Sequence, residues 1–155
     1  MNWRSRPSPG RWRDDRPDVN LLIHAYNSES RVHAAARAWW EGLLNGTQPV
    51  GLPWVTALGF IRLTTHRQIL VHPLEVAIAC GHVRKWLARP CVAILHPGDR
   101  HADVLFGLLE RVGSAGKLTT DAHLAALCVE HQAELHSTDA DFARFPGLRW
   151  KNPTR

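Results

Sequence analysis

Cysteine is scarce in this chain and is not grouped. Cys80, Cys91 and Cys128 are its only three, and no two of them form a Cys-x-x-Cys pair. An odd, scattered set argues against a disulfide framework and against a thiolate zinc site; it suits small buried apolar residues. No apolar run approaches the roughly 20 residues of a membrane-spanning helix. The basic amino-terminal stretch lacks the apolar core of a secretory signal, so the expected compartment is the cytoplasm and no membrane partner is expected. No glycine-rich loop follows a first strand, which removes the support for a small nucleotide-binding domain. A Ser/His/Asp arrangement for nucleophilic catalysis is also missing, as are internal repeats and a linker between domains.

What remains is a chain of 155 residues, 45% hydrophobic and 21% charged. That is enough for one domain with a real core. The formal net charge is +5, with ten histidines in reserve at lower pH. A basic surface suits a polyanion held by its phosphates.

Residues 1–16, rich in Arg and Pro and without apolar periodicity, read as a disordered or atypical extension ahead of a domain spanning 17–153. Trp3 and Trp12 among the arginines can stack on nucleic acid, but a floppy tail is the simpler reading. Asp18 opens an apolar run, Asp18 to Tyr26, as at the carboxyl end of a first strand passing into a short helix. His24 reads there as a hydrogen-bonded histidine. A second helix is predicted over Arg31 to Leu44, with Ala34, Ala35, Ala38, Trp39 and Leu43 inward and Asn45-Gly46 as its stop. Trp39 and Trp40 cannot both face one core, so one of them marks a partner surface. Pro49 to Leu52 reads as a strand, Pro53 permits a helix through Leu63, and Pro73 opens another over Leu74 to Leu87. Cys91 to Leu95 is a strand pattern. Pro97-Gly98 then turns the chain into an amphipathic helix, His101 to Val112, with Val104, Leu105, Leu108, Leu109 and Val112 inward.

The stretch Gly116 to Gly147 carries the chemistry. Thr119 or Thr120 is a good helix cap, which places Asp121 in the first turn. Ala122, Ala125, Ala126 and Val129 recur behind it at helical spacing. Ala133 to His136 suits a buried strand, and Ser137-Thr138-Asp139-Ala140-Asp141 leaves its end. A last strand lies near Leu148 to Trp150. Short strands alternating with helices imply a parallel sheet covered on both faces, and ligands gather beyond the carboxyl ends of such strands. Asp18, Asp121 and Asp139 converge there. Taken singly, an Asp in a first helical turn serves the helix dipole, and Asp-x-Asp in a loop serves the turn. Taken together, acids that close repel one another unless a cation sits among them. Oxygen donors without a Cys/His cluster favour Mg²⁺ or Mn²⁺ over Zn²⁺.

Four segments in this order, Asp18-Val19-Asn20-Leu21-Leu22, Phe60-Ile61-Arg62-Leu63, Asp121-Ala122-His123-Leu124-Ala125-Ala126-Leu127 and Ser137-Thr138-Asp139-Ala140-Asp141-Phe142, resemble the PIN-domain ribonucleases. The likeness is nearest to the VapC-type toxins of bacterial toxin–antitoxin pairs, in their mycobacterial branch, and covers about Pro17 to Pro153. It implies a three-layer α/β/α sandwich around a short central parallel sheet, Mg²⁺- or Mn²⁺-dependent hydrolysis of RNA, a VapB-type antitoxin and homodimerisation. By motif match, Asp18, Asp121 and Asp139 are the implied metal-binding acids, and Asp141 is a neighbouring acid acting through water. Asn20 and Thr138 orient carboxylates or water; Arg62 is a phosphate contact or a structural ion-pair member. Two departures stand out. Many family members carry Glu where this chain has Gly59, which leaves open one metal or two. It also leaves a second reading, a catalytically impaired module that keeps antitoxin binding. Upstream of Asp18, where the family has an apolar first strand, this chain has Arg13-Asp14-Asp15-Arg16-Pro17. Pro and charge fit poorly in a central strand.

Overall fold

The computed structural model describes residues 15–155. Trp3, Trp12 and nearly all of the expected amino-terminal extension lie outside the described residues. Five short strands, β1 (Asp15–Pro17), β2 (Val50–Pro53), β3 (Val92–Leu95), β4 (Glu134–His136) and β5 (Arg149–Lys151), form one sheet in the order β3-β2-β1-β4-β5. Every pairing is parallel. Parallel neighbours need crossovers, and six helices provide most of them: α1 (Val19–Tyr26), α2 (His33–Asn45), α3 (Trp54–Thr64), α4 (Val76–Leu87), α5 (His101–Val112) and α6 (Thr119–Glu130).

The apolar side chains separate into two clusters, as a sheet covered on both faces requires. One gathers Leu21 and Leu22 of α1, Trp40 of α2, Phe60 of α3 and Trp86 of α4 against Val50, Leu52 and Val92. Its centre is aromatic, with Trp40 edge-on to Trp86 at 5.3 Å and Phe60 to Trp86 at 4.6 Å. The other gathers α5, α6 and the 3₁₀ turn Ala140–Arg144 against Leu135. Val50 and Leu52, two apart, share a face of the sheet, as the period of a strand demands. The architecture is the α/β/α sandwich.

The charged segment ahead of Asp18 does form a central strand. Asp15, Arg16 and Pro17 pair with Glu134, Leu135 and His136, while Asp15 also pairs with Val50. The proline is tolerated because it is the last residue of a three-residue strand, so only one donor is missing. The carbonyl of Pro17 still accepts from Thr56 Oγ1 at 3.3 Å, and the next amide, that of Asp18, donates to His136 O at 2.8 Å. The folded unit thus reaches back at least to Asp15, two residues ahead of the expected start at 17.

Helix α2 differs in phase from the sequence expectation. Ala34, Ala35 and Ala38 are exposed, and Ala36 and Trp40 face inward. Trp39 marks no open surface: it is half-buried and donates from Nε1 to His136 Nδ1 at 2.9 Å. Helix α6 has no Thr cap, because a 3₁₀ turn over Gly116–Leu118 runs directly into it. It is buried almost all round, with Ala122, Ala125, Ala126 and Cys128 fully enclosed and Val129 half-exposed.

Candidate active site

Asp18 leaves the carboxyl end of β1 and caps α1, its backbone extended at φ −77, ψ 153. Oδ1 accepts from the Val19 amide at 2.7 Å, and Oδ2 accepts from Ser137 Oγ at 2.8 Å. The side chain is 6% exposed and has no cationic partner among the described residues. Burial therefore pushes its pKa from 3.8 up to about 6. The two hydrogen bonds oppose that rise, and the charges of Asp121 and Asp139 add to it.

The same hydroxyl organises the β4 side. Ser137 follows β4 and is fully buried. Its Oγ accepts from the Asp139 amide at 3.0 Å while donating to Asp18. Asp139 in turn accepts the Asp141 amide on Oδ1 at 2.9 Å, which caps the 3₁₀ turn Ala140–Arg144. One chain of hydrogen bonds thus runs from Asp18 through Ser137 to Asp139 and Asp141. Ser137 is held from behind by its amide to Lys151 O at 3.0 Å and by its carbonyl, which accepts from Trp150 Nε1 at 3.1 Å.

Asp121 comes from the third direction, in the first turn of α6. Its pKa is raised by burial first, then by Asp139 and Asp141, and is lowered by Lys117. Asp18 thus feels the charges of Asp121 and Asp139, and Asp121 those of Asp139 and Asp141.

Ser137 was not among the expected site residues, although Ser-x-Asp is a turn signature in which a hydroxyl takes the amide two residues on. Thr138, expected to orient carboxylates, sits between Ser137 and Asp139 in the chain and lines a separate cavity. Asn20 is the second residue of α1, half-buried, next to the Asp18 cap. Arg62 is exposed in the last turn of α3, eight residues beyond the helix start. Position 59 lies against the site's supporting helix: a Cβ on Gly59 would stand 3.1 Å from Val19 Cγ2. The glycine lets α3 press onto the first residue of α1. The Pro97 to His101 turn is tied down, since Glu130 accepts the amides of Gly98 and Arg100 and meets His101 Nδ1 at 3.2 Å.

The donor set fits a hard divalent cation. The carboxylates are all oxygen donors, and burial first, then their mutual charge, raises the pKa values of Asp18 and Asp121, a strain that a cation relieves. Among the described residues no three His, Cys, Asp or Glu side chains close into a ready cage. Mg²⁺ needs none, because it keeps several waters and is held through one or two carboxylates.

Known proteins share this fold. The PIN domain family model matches residues 17–148. The chain is 45% identical over 139 residues to Ribonuclease VapC33 of Mycobacterium tuberculosis, covering 90% of this chain and 97% of that protein. Among solved structures, VapBC2 from Rickettsia felis, bound to a DNA fragment from its promoter, aligns with a TM-score of 0.65 at 15% identity, over 89% of this chain and 97% of that one. VapC20 of Mycobacterium tuberculosis, a Sarcin-Ricin loop cleaving toxin, gives 0.65 at 17% identity, over 88% and 99%.

Proposed function

The chain belongs to the PIN-domain family, and from that premise we propose that it is a VapC-type ribonuclease toxin, dependent on Mg²⁺ or Mn²⁺ and restrained by a VapB-type antitoxin. The observation that carries this reading is the run of hydrogen bonds that ties Asp18 through Ser137 to Asp139 and Asp141 at the carboxyl edge of the sheet, with Asp121 close enough to act on Asp18. Asp18, Asp121 and Asp139 would hold the ion, with Asp141 acting through water. Bound there, a divalent cation supplies charge neutralisation for the phosphate and for the leaving oxygen, and makes water a better nucleophile.

The protein's own contribution is orientation. Asp18 cannot swing, because both of its oxygens are engaged by Val19 and Ser137. Asp139 is fixed by the same hydroxyl and itself fixes the start of the turn that carries Asp141. Burial of Asp18 excludes water from one side of the site. Gly59 in place of an acid leaves four carboxylates, more than a hydrated Mg²⁺ takes from protein, which supports ion binding without an acid at 59.

The relatives that carry VapC names and the VapBC complex of the same fold support an antitoxin partner. Trp54 and Leu58, one turn apart on α3, and Phe106 on α5 are each about half exposed. Exposed large apolar side chains of this kind support self-association into a homodimer. Among the described residues no helix is long and apolar enough to cross a membrane.

The reading is tested by incubating purified protein with a total-RNA preparation in Mg²⁺, Mn²⁺ or EDTA, beside Asp121→Asn. Discrete cleavage products are expected with either metal and neither in EDTA nor with the variant. Equal cleavage in EDTA overturns the metal requirement, and equal cleavage by Asp121→Asn overturns the site.

A further inference from the structure

A second concave site shares Thr138 with the segment that carries Asp139. Thr138, between Ser137 and Asp139, forms one wall of a cavity of about 530 Å³, within the size range of small-ligand pockets. The end of α1 and the following loop form a second wall with His24, Asn27, Ser30 and Arg31; the segment after β5 adds Asn152, Thr154 and Arg155. These walls meet at the carboxyl edge of β4 and β5, where the Ser137 amide bonds Lys151 O.

The lining is rich in donors, and the local hydrogen bonds make it so. Asn27 Oδ1 accepts the Glu29 amide at 3.1 Å, and Asn152 Oδ1 accepts the Thr154 amide at 3.0 Å and its hydroxyl at 2.8 Å. With both amide oxygens taken by donors, each Asn presents its NH₂ group elsewhere. Ser30 Oγ accepts the Val32 amide at 3.3 Å and pairs with His24 Nδ1 at 2.8 Å. Arg31 is exposed and no ion pair holds it among the described residues. Donors and cations without lining carboxylate side chains match phosphate oxygens.

We propose that this cavity is a phosphate-backbone subsite that holds the RNA strand next to the scissile bond, with Arg31 as its principal cation. The proposal rests on the RNA-cleavage reading above. Thr138 joins the two sites, so a strand whose phosphate reaches Asp18 and Asp139 passes directly into the cavity. The phosphates seated there fix the register of the strand without reading its bases.

The test uses full-length Asp121→Asn protein, a fluorescent single-stranded oligoribonucleotide of random sequence, and anisotropy titrations between 50 and 200 mM salt. Asp121→Asn/Arg31→Gln is compared with Asp121→Asn/Arg89→Gln, since Arg89 is exposed ahead of β3, on the opposite edge of the sheet. The Arg31 variant is expected to bind several-fold more weakly, with a log–log salt slope shallower by about 0.7, the value for one phosphate on a single strand. The Arg89 variant is expected to match the parent. In an active background, Arg31→Gln raises KM and leaves kcat near wild type, as loss of uniform binding does. Unchanged affinity, slope and KM with Arg31→Gln overturn the proposal, as does weakened antitoxin capture with RNA binding intact, which assigns the cavity to a protein segment. Failure of the active-site reading is separate: it appears as cleavage that survives Asp121→Asn.

Discussion

Asp18→Asn should stabilise the metal-free protein, although it removes a residue of the proposed catalytic site. The argument has three parts. Asn is as good a helix cap as Asp, so the bond from the Val19 amide is retained. The amide still pairs with Ser137, which accepts in place of donating. What disappears is a buried charge beside Asp121 and Asp139, whose cost is expressed in a pKa of about 6 against 3.8. That difference corresponds to about 3 kcal/mol. Because the folded-state value is the higher one, the folded protein binds the proton more readily. Wild type therefore loses this stability as pH rises from about 4 to about 6 and lacks it above pH 6. Chemical denaturation in EDTA at pH 4.5 and pH 7.5 should show the variant ahead of wild type by only about 1 kcal/mol at the lower pH. At the higher pH it should be more stable by up to about 3 kcal/mol, or roughly 6–12 °C in Tm for a domain of this size. With saturating Mg²⁺ or Mn²⁺ the advantage should shrink, since only wild type gains a ligand. A variant less stable than wild type at pH 7.5 in EDTA would falsify the claim that Asp18 is strained and return it to the role of an ordinary cap.

Ser137→Ala removes the donor to Asp18 and the acceptor for the Asp139 amide. It should cost about 1–3 kcal/mol and push the Asp18 carboxyl higher, so the loss measured by denaturation should be larger at pH 7.5 than at pH 4.5. Ala125→Leu places bulk on the fully enclosed side of α6 and should cost about 1–3 kcal/mol through overpacking; a neutral thermal melt would refute the close approach of that helix to the sheet. Glu130→Ala removes the acceptor of two loop amides and of His101. It should lower stability by about 1–3 kcal/mol and leave RNA cleavage below the melting transition unchanged.

The acids were legible because two general placements intersect: strand carboxyl ends collect function, and Asp121 sits at a helix start that faces the same edge. The helix His101–Val112 was legible from its apolar stripe and has those bounds in the fold. The phase of α2 was not, because alanine tolerates either environment. A periodicity read from Ala34, Ala35 and Ala38 carries little weight against the single large residue Trp40, which the core encloses. A first strand was expected to end at Asp18, but its charged, proline-ended residues did not read as one, because three residues are too few to show a period of two; its pairing is imposed by β2 and β4 on either side. Ser137 escaped because its importance lies in a contact with Asp18, 119 positions earlier in the chain. Local pattern cannot carry such a contact.

The most direct measurement of the central claim is a calorimetric titration of Mn²⁺ into wild type, Asp18→Asn, Asp121→Asn and Asp139→Asn at pH 7.5, each first shown to be folded. If these carboxylates share one cation site, wild type binds the metal, and each substitution, made on a different segment of the chain, weakens the same binding event by tenfold or more. Variants that bind Mn²⁺ as wild type does would contradict the account, because the acids would then be coupled by charge without serving a common ion.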